Sequence, residues 1–571
     1  MNRKQRRALP HGQPAAAAVA ELFQQAAWHQ DNGRLDDAAR LYKRVVAREP
    51  GHGLAHNNLA CVLLAQGRQH DASASFARAI AATPELLDDM ASILGTLRAV
   101  LPAFAAATQR AATAWPRRIG FAEAFGDALG AVAADPLLLT VLTGGVISDL
   151  EAERLLTGLR ADALASVTAP RAGVPLDLLG ALAQQCFINE YVFASTAEED
   201  GAAAALAQRI EAALRNTEPV APAALIACAM HRPLHRLAGI EAALARPWPK
   251  PTRDVLAQQV GEPRREHELR ATIPALTPVS DATSQRVRAQ YEENPYPRWV
   301  HAAAPRSALP LETQLRNKFP AARVHPLDSA GPQVLIAGCG TGRHAIELTQ
   351  TLPGAHVLAV DLSLASLAYA RRKTPPALAP RIDYAQADIL GLGALGRSFD
   401  VVSASGVLHH MADPVAGLRI LTTLLRPHGL LHLGLYSETA RRGVAAARAF
   451  IAARGYRAEA DDIRRCRQEL IAAQPDNPVI RWADFYSTSM CRDLLFHVEE
   501  HRFTIPRIKA VLAELGLAFL GFEIPPPQLA AARAIFAARG WSMTDLDRWD
   551  QAERETPDLF AGMYQFWVQK P

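Results

Sequence analysis

At 571 residues the chain is too long for one hydrophobic core, and about three or four domains are expected. A composition of 49% hydrophobic and 21% charged residues describes a soluble globular protein, and no run approaches the ~18–20 consecutive apolar residues of a membrane span. The net charge of +4 is matched by Arg3, Lys4, Arg6 and Arg7 alone, so the body is near neutral and lacks the basic stripe of a nucleic-acid binder.

Residues 1–16 read as a basic disordered tail. Two prolines, a histidine and a glycine follow its charges where a signal peptide would place an apolar core, which argues against export. The six cysteines are scattered without a close pair, so they read as reduced thiols of a cytoplasmic protein with no metal site. From residue 17 the sequence repeats itself: Ala26, Gly33, Ala38, Tyr42 and Pro50 recur 34 positions later as Ala60, Gly67, Ala72, Phe76 and Pro84. Small residues suit helix crossings, the aromatics an inter-repeat core, and the prolines the ends of second helices. This pattern resembles the tetratricopeptide repeat, two copies of which fill 17–85. The resemblance implies a surface for a protein or peptide partner; a packing or dimerisation appendage is the other reading. Residues 85–118 are left as a degenerate third unit or a capping helix.

Residues 86–275 read as helices broken by short Pro, Gly or Asp signals, with 3.6-residue apolar spacing over Leu150 to Leu159 and Ala202 to Leu214. They show no catalytic constellation, and Pro247 to Arg270 reads as linker. Tyr291 to Trp299 then packs three aromatics, two prolines and Arg298 into nine residues, extended by its prolines.

The apolar run Val334 to Ala337 breaks into Gly338-Cys339-Gly340-Thr341-Gly342, a buried strand turning sharply into a helix at Arg343. Unpaired N–H groups of that helix face whatever lies over the turn. A second strand ends in Asp361, a carboxylate placed to accept ribose hydroxyls. A third strand leads into Asp388, at the height of an adenine amino group, and a fourth, Phe399 to Ser405, runs into Gly406 to Met411. Further strands are expected at 430–435, 516–522 and 563–569. A dinucleotide site is the alternative, but the third glycine comes one residue early and Arg343 stands where that pattern wants Gly or Ala.

In order, GCGTG, VLAVDLS, QADIL, FDVVSASGVLHHM and LLRPHGLLHLGLY resemble the motifs of class I S-adenosylmethionine-dependent methyltransferases, covering 276–571. With NPYPRW, GLYSE and RDLLFH, the arrangement resembles an uncharacterised bacterial group of tetratricopeptide-repeat proteins with such a domain at the C-terminus. The resemblance implies an all-α N-terminal part (repeats plus a helical region) followed by an α/β Rossmann-like domain with a seven-stranded, mostly parallel sheet. It also implies a helical cap at about 437–515 and S-adenosylmethionine as cofactor. Carried onto this chain, the cofactor residues are Gly338, Cys339, Gly340, Gly342, Asp361, Leu362, Asp388, Ile389, Ser405 and Gly406, with Arg298 or a nearby tyrosine meeting the methionine carboxylate.

The activity implied is methyl transfer to a protein or small-molecule acceptor that the sequence does not identify. A base is required only if the acceptor carries a proton, and His409, His410 and Tyr436 are the candidates. His497 and His501 read as one face of a helix lining a pocket, or as a metal pair lacking a third ligand. The alternative to an enzyme is a non-catalytic cofactor-binding scaffold whose repeats hold a partner protein.

Overall fold

The computed structural model describes residues 13–168, 173–302, 309–327 and 331–571. Most of the expected basic tail, residues 1–12, lies outside the described residues, while Gln13 already begins a helix. The chain forms two compact units: residues 1–260 with 300–304, and residues 261–299 with 305–571.

The first unit is helical among its described residues. Helices Gln13–Asp31 and Leu35–Arg48 form one hairpin, Gly53–Ala65 and Gln69–Ala82 a second. The turn glycines Gly33 and Gly67 sit at φ of 71° and 74°, which a side chain at either position would strain. Ala26, Ala38, Ala60 and Ala72 are fully buried. Tyr42 is buried too, its hydroxyl donating to Gln30 Oε1 (2.9 Å) and accepting from Asn58 Nδ2 (3.1 Å). Helices Met90–Val100 and Pro102–Ala114 follow where the sequence leaves a degenerate third unit. Ser73 Oγ donates to Asp135 Oδ1 (2.8 Å), tying helix Gln69–Ala82 to the capped start of helix Pro136–Gly144. One hydrophobic core runs from Val19 to Val260. Lys250 to Arg270, expected as linker, is helical throughout; Pro251 sits in the first turn, where no helical N–H is lost, and Pro263 follows the π-helical turn Ala257–Gly261.

The second unit is built on a seven-stranded sheet: β1 Gln333–Ala337, β2 His356–Asp361, β3 Ile382–Gln386, β4 Phe399–Ser405, β5 Leu425–Tyr436, β6 Ala518–Glu523 and β7 Met563–Gln569. The spatial order is β3-β2-β1-β4-β5-β7-β6, with β1 to β5 parallel and β7 antiparallel to both its neighbours. Val334 to Ala337 are all buried, as expected of a parallel strand covered on both faces. β5 starts five residues earlier than the sequence suggests, because Leu425 pairs with Phe399. β6 starts two residues later, because Gly516, at φ 65°, closes the preceding helix. The switch in strand order falls between β1 and β4, where ligands of such sheets collect beyond the carboxyl ends. Between β5 and β6 lie helices Arg442–Arg454, Ala460–Ala473, Thr488–Phe496 and Ile505–Glu514. They are anchored by buried charges: Arg467 donates to the Phe485 carbonyl (2.6 Å), and Arg441 pairs with Glu500 (2.9 Å).

Candidate active site

A cavity of about 460 Å³ opens at the switch point. Nine of the expected cofactor residues line it: Gly338, Cys339, Gly340, Asp361, Leu362, Asp388, Ile389, Ser405 and Gly406. The Asp361 carboxylate accepts the N–H of Gly340 (2.8 Å) and of Ser363 (2.9 Å), which fixes it at the tip of β2 and leaves lone pairs on both oxygens. Burial nonetheless raises its pKa, those two N–H groups opposing the shift and Glu292 adding to it. Asp388 accepts the Leu390 N–H (3.0 Å), while its own N–H donates to Thr277 Oγ1 (2.7 Å). Gly406 sits at φ 77° with open space where a Cβ would stand, so the backbone there forms a bare cavity wall.

Two expected residues lie elsewhere. Gly342, at φ 82°, is not on the cavity wall: a Cβ there would overlap Ala370, so this glycine lets the helix after β1 pack against helix Leu364–Lys373. Arg298 is also absent from the wall, its guanidinium lying 5.8 Å from the Tyr369 ring centroid. The neighbouring Trp299 is buried: its indole N–H donates to the Thr341 carbonyl (3.2 Å) and its own carbonyl accepts from the Tyr369 hydroxyl, which ties this stretch to helix Leu364–Lys373. Tyr291, Tyr296 and Pro297 reach the cavity instead. Tyr291 and Tyr296 stack with centroids 6.3 Å apart, so the aromatic segment before β1 covers the cradle.

Of the three candidate bases, His410 lines the cavity, whereas His409 and Tyr436 stand behind it, their rings stacked 3.6 Å apart. His410 Nδ1 lies 2.7 Å from the Glu499 carbonyl, which can only accept. The proton therefore sits on Nδ1, and Nε2 keeps its lone pair. His497 has the opposite tautomer. Its Nδ1 accepts the Glu499 N–H (3.1 Å), so Nε2 carries the proton and faces the Tyr291 hydroxyl at 3.1 Å. Tyr291 donates to Asp493 Oδ1 (2.6 Å) and Tyr436 to Asp493 Oδ2 (3.4 Å). Ligand atoms of His410, Asp493 and His497 lie within 4.8 Å of one another. A metal-bound histidine donates its other ring N–H outward, and His497 instead accepts there, so the group closes as a hydrogen-bond network.

Desolvation dominates the electrostatics. Burial raises Asp493 to about 7, with Asp484 adding to the shift and the Tyr291 hydrogen bond and Arg441 opposing it. Burial likewise raises Asp484 to about 6. It lowers His497 to about 3 and holds His410 and His409 well below the usual imidazole range. His497 and His501 do not share a helix face, because helix Thr488–Phe496 ends before both.

The sequence reading did not anticipate a further stretch of wall, formed by His344, His432, Glu523, Met563 and Gln565. Ser403 Oγ lies 3.0 Å from His344 Nε2 and 3.2 Å from His432 Nδ1. Glu523 accepts from Lys318 (2.5 Å) and from the Trp567 indole N–H (2.8 Å). Burial lowers His432 to about 4, with Glu523 opposing. Alternation along β5 and β7 was the available signal: Gly434 pairs with Gln565 and Tyr436 with Met563, which puts these side chains on one face.

A family model described as a methyltransferase domain matches residues 334–429, the stretch that builds this cradle. Residues 334–429 are a methyltransferase domain. A tetratricopeptide-repeat model matches residues 29–97. An uncharacterized protein of Synechococcus sp. is 28% identical over 268 residues, which is 44% of this chain and 63% of that protein. A ubiquinone biosynthesis O-methyltransferase of Xanthomonas axonopodis pv. citri is 32% identical over 143 residues, 25% of this chain and 57% of that protein. The chain thus spans less than two thirds of the length of these curated relatives. Among solved structures, PKMT2 from Rickettsia typhi aligns with 46% of this chain and 54% of its own, at 15% identity and a TM-score of 0.36. The methyltransferase domain's cavity, its paired carboxylates and the bare backbone at Gly406 fit a nucleoside-bearing cofactor such as S-adenosylmethionine.

Proposed function

We propose that this chain transfers a methyl group from S-adenosylmethionine to a small-molecule or protein acceptor. The observation that carries the reading is one cavity in which Asp361 and Asp388 flank a bare-backbone cradle while Tyr291, Tyr296 and His410 complete the wall. Asp361 would hold the ribose hydroxyls, Asp388 and Ile389 the adenine, and the loop 338–340 with Ser405 and Gly406 the chain between them. When bound there, S-adenosylmethionine would supply an activated sulfonium methyl group, its sulfur able to keep the electron pair of the carbon–sulfur bond. Tyr291, Tyr296 and Pro297 exclude water, so the acceptor meets the methyl carbon in a fixed line. His410 receives the acceptor's proton at Nε2; the Glu499 carbonyl orients the ring. The resulting imidazolium lies within 4.8 Å of the Asp493 carboxylate.

Calorimetric titration with S-adenosylmethionine and S-adenosylhomocysteine tests this reading. One cofactor per chain is expected, together with transfer of labelled methyl into a lysate fraction; absence of both would remove it. We also propose that residues 17–85 hold a protein partner. In support, Trp28 and Leu54 stand about half exposed on the repeat helices. A partner captured by the wild type is expected to be lost from a Trp28→Ser, Leu54→Ser variant; equal capture by both would place the contact elsewhere. The methyltransferase unit, residues 276–571 with its cap at about 437–515, is assigned the chemistry, and the helical region before it the carriage of the repeats. No single helix among the described residues is long and apolar enough to cross a membrane.

A further inference from the structure

A second cavity, of about 410 Å³, adjoins the first and shares Glu523, Met563 and Gln565 with it. It wraps the end of the edge strand β6. Its deep wall is apolar, formed by Leu520, Phe522, Trp549 and Phe560, all nearly fully buried. Phe319 closes one side by lying against Gly521, where any Cβ would overlap its ring. The solvent end is cationic. Lys318 and Arg533 both line it and both are exposed. Lys318 is neutralised by Glu523 at 2.5 Å, whereas Arg533 has no ion-pair or hydrogen-bond partner among the described residues.

At the shared wall the polarity changes. Gln565 offers a carboxamide, and the His432 ring, only 5% exposed, has an Nε2 without a hydrogen-bond partner, 3.8 Å from Glu523. Met563 is paired in register with Tyr436, whose ring meets His410 edge-on at 5.4 Å. The passage from the second cavity therefore ends beside the proposed base. An unpartnered cation at the mouth, an apolar body and polar groups at the inner end describe a ligand's polarity in reverse.

We infer that this second cavity seats the body of the methyl acceptor. The acceptor is an amphiphile, apolar along most of its length, with an anionic group at Arg533 and a methylatable atom that reaches past Met563 and Gln565. This rests on the methyltransferase reading for the role of the ligand, but not for the existence of the site. Burial of the apolar body supplies affinity; the single cation supplies selectivity for acids over amines.

The test uses the full chain and three probes below their micelle concentrations: dodecanoate, dodecyltrimethylammonium and, as a control for the cofactor site, S-adenosylhomocysteine. Calorimetry is expected to find one dodecanoate per chain, bound at least tenfold tighter than the ammonium probe. Arg533→Glu, an exposed change, is expected to weaken dodecanoate at least tenfold and leave S-adenosylhomocysteine within twofold. Leu529→Trp, which narrows the cavity, is expected to weaken both amphiphiles. Equal affinity for the two amphiphiles, several per chain, or indifference to both substitutions overturns the inference. S-adenosylhomocysteine binding without dodecanoate binding overturns it while sparing the methyltransferase reading. Dodecanoate binding without S-adenosylhomocysteine binding overturns that reading, and with it the role of acceptor.

Discussion

The two units bury polar groups in opposite ways. In the helical unit the buried carboxamides are spent largely on backbone. Gln185, fully buried, donates to the carbonyls of Leu142 and Gly145 at 2.8 Å each, and Gln259 donates to those of Ala183 (3.1 Å) and Ala229 (3.2 Å). In the sheet unit buried titratable groups bond to one another around a cavity, and burial holds Asp493 and Asp484 well above the usual carboxylate range. Burial without full compensation costs stability, so such groups mark where chemistry is done. The first pattern fixes helix ends; the second holds reactive groups ready.

The comparison breaks first at His410. His410→Gln is expected to lower turnover about 10²–10⁴-fold, with S-adenosylhomocysteine affinity nearly unchanged, as steady-state kinetics and calorimetry would show. A loss of affinity matching the loss of turnover would make the ring a binding element.

Asp493 comes next. Its folded pKa, about 7, lies above the unfolded value, so the folded state binds the extra proton between roughly pH 4 and 7. Stability is therefore expected to fall as pH rises from 5 to 8, by at most about 2.7 kcal/mol, the free energy of the two pH units that lie between 5 and the folded pKa. In Asp493→Asn that slope is expected to shrink, as denaturant unfolding at each pH would measure. An identical slope in both proteins would mean that the carboxyl is already hydrated in the fold.

Asp361→Ala is expected to weaken S-adenosylhomocysteine about 100-fold, the loss of charge-assisted ribose bonds. Gln185→Ala sharpens the contrast from the other side. It strands buried carbonyls and is expected to cost about 1–3 kcal/mol of stability with cofactor affinity untouched. The mildest effect belongs to Ser73→Ala, at about 1 kcal/mol, read by thermal unfolding.

What the sequence made legible was local. Alternate glycines after an apolar run, a carboxylate closing a strand, and a fixed offset between small residues are signals within a few turns of chain, and they placed β1 to β4 and the first two hairpins. Nine of the expected residues share one cavity wall for the same reason, since each lies at a strand's last residue or within three residues beyond it. The acceptor side was not, because its contacts span the chain. Tyr291 meets Asp493 across 202 residues, and Met563 reaches the site only through its register with Tyr436. The aromatic segment before β1 was legible only as a choice between Arg298 and a tyrosine: the guanidinium lies by the Tyr369 ring, while Tyr291 and Tyr296 reach the cavity. His497 and His501 have helical spacing, yet helix Thr488–Phe496 stops short of them.

The uninterrupted core from Val19 to Val260 means that the repeats are not a detachable adaptor. Cleavage after residue 85 would strip the packing from helix Pro136–Gly144 and leave two sticky halves. By mass action, a peptide held at the first hairpin would stiffen the whole bundle to its far end, adding stability by about 2.7 kcal/mol at a hundredfold excess over Kd. Amide exchange at Leu225 or Val255, far along the chain from any docking surface on the repeats, would then report occupancy there.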